Sequence, residues 1–161
     1  MLKWLEIRKI HDLRKVDLMP CNTHILSIFS AQTVDGQTLK SEFLVPCEFK
    51  FKNNLGLISY KEQSEDNEIF SSIKLCRTGA IVITRESKNQ ISKLTFEENT
   101  RHECIYFTDF GNINLGVFTH EINRTFDEKF CNIELRYALD SNRAHLSENK
   151  IIITVKENND V

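Results

Sequence analysis

The chain has 161 residues and a mass of 18.8 kDa, which is enough for one domain with a real core. Hydrophobic residues make up 40%, charged residues 27%, the net charge is -2 and the pI is near 6.2. That balance excludes a fibrous or low-complexity chain and gives no global attraction to nucleic acid or anionic membrane.

The first 22 residues stand apart from the rest. Leu2, Leu5, Lys9, Leu13 and Val16 fall at three- and four-residue spacings, with Arg, Lys and Asp between them. This predicts a short amphipathic helix ended by Pro20. Its charges interrupt any apolar core of signal-peptide length, and no stretch approaches the roughly 18 apolar residues of a membrane span. The expected location is therefore the cytoplasm, with no membrane partner. Residues 1–18 are a candidate docking segment for a protein, and Met19 offers a second candidate start.

From residue 23 the hydrophobic period switches to two. "THILSIFSAQTV" runs into Asp35-Gly36, "CEFKFK" into Asn53-Asn54, and "IFSSIKLCR" into Thr78-Gly79. Such pairs read as hairpin turns because their central positions require positive φ. "AIVITRES", "ISKLTFEE" and "ECIYFTDF" follow, with a turn expected at Gly111-Asn112 before "INLGVFTHEI". "NRTF" precedes "DEKFCNIELRYALD", and a polar loop over 141–149 leads to "KIIITVKE". About ten strands at this spacing predict an all-β fold, with residues 23–157 as the barrel and 158–161 as a disordered tail. Closing the meander removes edges that would otherwise pair with other chains.

The string Tyr106-Phe-Thr108-Asp-Phe110-Gly111, with Ile113, Leu115, Val117 and Thr119 after it, resembles the signature of the YwiB-like bacterial domain of unknown function. "GLISYKE", "IKLCRTGAIVITRES", "LTFEEN", "IELRYALD" and "IIITVKE" resemble that family in order and spacing. Arg85 is followed here by Glu86 and Ser87 rather than by the family's small residue and Gly. The resemblance implies an antiparallel up-and-down, calycin-like (lipocalin-like) barrel of about 8–10 strands.

Candidate site residues follow from the faces of these strands. Tyr106, Thr108 and Thr119 pack across a hairpin in one reading and put hydroxyls into a lumen in another. Tyr137 shares a face with Cys131, Ile133 and Leu135 and joins them as a lumen candidate. Arg85 falls on the face of Ile81 and Ile83. There it needs a carboxylate, for which Glu134 is one candidate, or it snorkels to solvent at the strand mouth. His102 and Cys104 supply too few ligands for zinc, so no metal is expected, and the absence of phosphate-loop motifs predicts no cofactor. Phe49 and Phe51 alternate with Lys50 and Lys52, a pattern that suits base stacking but equally a half-buried strand. The five scattered cysteines, lacking a Cys-x-x-Cys pair, read mostly as buried small hydrophobes. The expectation is a non-enzymatic barrel binding a small apolar or amphiphilic ligand. A packed protein-interaction module is the alternative, with nucleic-acid binding and catalysis behind both.

Overall fold

The computed structural model describes residues 23–63, 68–108 and 110–159. The amphipathic segment over residues 1–22, and with it the docking segment 1–18, lies outside the described residues. The strands are β1 (His24–Val34), β2 (Gln37–Lys52), β3 (Leu55–Gln63), β4 (Glu68–Leu75) and β5 (Ile81–Glu86). They continue as β6 (Ile91–Phe96), β7 (Arg101–Thr108), β8 (Gly111–Phe126), β9 (Phe130–Ser141) and β10 (Ala144–Glu157).

All ladders between these strands are antiparallel, in the order β6-β5-β4-β3-β2-β1-β10-β9-β8-β7. The β1–β10 pairing joins the two halves of the meander, and β6 comes to lie beside β7. That last seam is stitched by individual bonds. The Phe107 amide donates to Ser92 Oγ at 3.2 Å. Nearby, the Asn99 amide donates to the Thr119 carbonyl at 2.8 Å, and the Ile122 amide to Glu98 Oε1 at 2.8 Å. The result is a nearly closed ten-stranded barrel.

Turn chemistry sets the hairpins. Asp35-Gly36 and Asn53-Asn54 hold positive φ at both central positions, as a tight two-residue turn demands. Other expectations need correction. The polar stretch 141–149 is a tight turn at Asn142-Arg143, with φ of 51° and 68°, and β10 begins at Ala144. Its inward positions are the buried polar residues Ser147 and Asn149, so the apolar alternation is lost and the stretch reads as loop. "NRTF" continues β8, and Asp127 Oδ1 makes the following turn by accepting from the Lys129 and Phe130 amides. Gly111 opens β8 opposite Thr108 and Asn112 pairs with Phe107, so both belong to the ladder and not to the turn expected at Gly111-Asn112. Asn158, expected to begin a loose tail, donates its amide to the Thr23 carbonyl at 2.8 Å. Residues 160–161 lie outside the described set.

The interior changes character along the barrel. The row Gly56-Leu75-Ile81-Phe96 crosses β3 to β6 at one end, and Ile58-Ile73-Ile83-Leu94 lies above it. Leu26, Cys131, Ile133, Leu135, Ile153 and Val155 fill the opposite wall with no exposed surface. Each such apolar side chain contributes about 1.5–3 kcal/mol relative to exposure. Gly56 is needed in this packing because a Cβ there would stand 2.7 Å from Leu75 Cδ1. One row further the lining becomes polar: Tyr60, Ser71, Arg85 and Ser92 face one another across four strands.

Candidate polar mouth of the barrel

The polar row carries a connected cluster. Arg85 Nη2 donates to Glu62 Oε2 at 2.8 Å, and Arg85 Nη1 donates to the Tyr106 hydroxyl at 2.7 Å. Ser71 Oγ donates to the other carboxylate oxygen of Glu62 at 3.0 Å. Arg85 Nε is buried without a partner among the described residues. Arg85 shares the inward face of Ile81 and Ile83, but its side chain is 36% exposed, so it sits at the strand mouth and meets both solvent and Glu62. Its partner is Glu62 and not Glu134, because Glu134 faces outward and pairs with Lys150 at 3.0 Å.

Electrostatics follow from this arrangement. Burial works against the Arg85 charge, but its hydrogen bond to Glu62 and the neighbouring Tyr106 outweigh it and hold its pKa above the ordinary arginine value. Burial, reinforced by the Glu62 charge, pushes the Tyr60 phenol up to about 12. Burial and the proximity of Tyr106 do the same to Tyr137. Both phenols are therefore neutral donors at physiological pH.

The cluster borders an opening in the wall. The β2–β3 ladder stops at Glu48 and Ser59, while both strands continue beyond it. Where they part, Ile28, Phe43, Tyr60 and Glu62 line a cavity of about 440 Å³. Phe43 leans on Tyr60 with ring centroids 5.8 Å apart. Glu62 is common to the cavity and the cluster, so the opening has aromatic and aliphatic walls with a hydrogen-bonded ion pair beside it.

The candidate residues do not all meet here. Arg85 and Tyr106 are bonded, and Tyr137 lies near Tyr106. Tyr137 also packs edge-on against Phe96, with ring centroids 4.9 Å apart. Thr119 lies opposite Tyr137, fully buried, and its hydroxyl has no partner among the described residues. Thr108 belongs elsewhere. Its hydroxyl donates to the Gly111 carbonyl at 2.8 Å and accepts from the Phe110 amide at 3.2 Å, which makes it a turn residue rather than a lumen one.

Glu62, Ser71 and Tyr60 are the members that sequence reasoning missed. A usable signal exists: in "LGLISYKE" Ile58, Tyr60 and Glu62 share one face, as do Ser71, Ile73 and Leu75 in "FSSIKL". Elsewhere, His102 bonds Glu97 at 3.0 Å. Phe49 is buried and Phe51 stacks edge-on against Phe126 at 5.1 Å, so both rings serve the packing rather than an outer platform.

Residues 26–153 match the family model of a domain of unknown function, DUF1934, and the chain belongs to that family. The fold is similar to that in the crystal structure of the ywiB protein from Bacillus subtilis, with a TM-score of 0.73. The two share 20% identity over 84% of this chain and 91% of that one. No curated protein matches. No helix among the described residues is long and apolar enough to cross a membrane.

Proposed function

We propose that the barrel is a non-enzymatic, calycin-like carrier that takes a small amphiphile at its polar mouth, where β2 and β3 separate. The observation that carries this is the Arg85–Glu62 pair beside an aromatic-walled cavity of about 440 Å³, a volume within the range of about 300–1,000 Å³ typical of small-ligand pockets. Three features define the ligand class. Ile28, Phe43 and Tyr60 suit a short apolar body. Arg85 and Glu62 offset each other's charge, which favours a neutral head over an ion. The unpartnered Arg85 Nε, next to the Glu62 pair, leaves a donor for a head group or for a water beside it.

The apolar end of the barrel is already filled by side chains, so the ligand space belongs to the mouth rather than to a continuous lumen. Native mass spectrometry and thermal shift with medium-chain alcohols, amides and acids test the reading. Neutral amphiphiles should raise the melting temperature of the wild type and lose that effect in Phe43→Ala. Failure of every compound to bind, or equal binding by Phe43→Ala, contradicts it.

A further inference from the structure

The β1–β2 hairpin projects beyond the mouth, and only β1 covers β2 there. β3 runs four residues past Ser59, to Gln63. Counting four back from Glu48 reaches Leu44, so β2 from Phe43 toward its tip lies beyond the end of β3. This edge carries Leu39 at 72% exposure and Phe43 at 37%, with Leu44 beside them at 67%. An exposed apolar strand edge is a template for another strand.

We infer that the occupant is a second copy of this chain, pairing β2 with β2 antiparallel about a two-fold axis at Ser41. The sequence Leu39-Lys40-Ser41-Glu42-Phe43 is complementary to itself when reversed. With Ser41 opposite Ser41 of the second copy, each Lys40 stands opposite a Glu42, and each Leu39 opposite a Phe43. The alternation keeps the charged pairs on one face and the apolar pairs on the other. One patch serves both copies, as a closed two-fold dimer requires. The β2-β1-β10-β9-β8-β7 sheet then continues across the axis into its counterpart. A foreign strand would not need this reversed complementarity, which is what favours self-association.

Sedimentation of the full chain over a range of concentrations tests this. Lys40 and Glu42 are exposed and make no ion pair among the described residues, so replacing them leaves the barrel intact. Lys40→Glu and Glu42→Lys each set like charges opposite each other twice and should weaken dimerisation by about tenfold or more. Mixing the two variants makes every cross-axis pair complementary and should restore a dimer, now mixed. A wild type that stays monomeric, single variants that dimerise as well as wild type, or a mixture that remains monomeric each overturns the proposal.

Discussion

Arg85 shows how an interior charge is held in this protein. Its guanidinium lies one row above an aliphatic layer, with Nη1 and Nη2 bonded to Tyr106 and Glu62 and Nε without a partner among the described residues. Removing one partner strands the other, whereas removing both removes the desolvation problem as well. Glu62→Leu should cost about 1 kcal/mol after allowance for the partial exposure of the pair, and Glu62→Leu with Arg85→Met should cost less than the sum of the single changes. Urea-unfolding midpoints for the two single variants and the double variant check this; strict additivity would contradict it. A second guanidinium illustrates the same point on the outer face. Arg101 crosses β8 over Gly116 to make a bidentate pair with Asp140, Nε to Oδ2 at 2.8 Å and Nη2 to Oδ1 at 2.7 Å. A Cβ at Gly116 would stand 2.3 Å from Arg101 Nη2. Gly116→Ala should therefore displace the pair, and it should cost less in an Asp140→Asn background, where the ion pair is already weakened, than in the wild type, as read from the same midpoints.

At the scale of the elements, the strands were legible and their ends were not. Alternation marked ten strands because one face of each is packed and the other is wet. It failed at the end of β8, where Asn123, Arg124 and Thr125 precede the packed Phe126, and at the start of β10, whose inward positions are the polar Ser147 and Asn149. The Arg85 environment was half legible: its strand and face followed from "AIVIT", but its partner lies 23 residues earlier, two strands away in the sheet, and no local pattern names such a contact. The β6–β7 seam was illegible for the same reason. Because single bonds rather than a ladder close it, Ser92→Ala leaves the Phe107 amide without its acceptor. That change should cost about 1 kcal/mol and speed amide exchange at Phe107 and its β7 neighbours more than at β9. Uniform exchange across β7 and β9 would show that the seam is not the weak joint.

The whole molecule is a barrel with an apolar end and a polar mouth, and its pH response should report that division. Burial raises the thiols of Cys47 and Cys131 from 9.0 to about 12, and the phenols of Tyr60 and Tyr137 from 10.0 to about 12. Because folding keeps these groups protonated while the unfolded chain releases them, the stability they contribute is complete below pH 9 and is lost as pH rises toward 12. Urea midpoints should hold steady to about pH 8.5 and then fall, and thiol reagents should reach Cys47 and Cys131 only on unfolding. The proposed ligand enters at the mouth and not at the filled end. Backbone amide shifts during titration with a neutral medium-chain amphiphile test this most directly. Saturable shifts are expected at Ile28, Phe43, Tyr60, Glu62 and Arg85 with Leu75 and Ile133 unmoved; shifts centred on Leu75 and Ile133, or none anywhere, would rule out a ligand at the mouth.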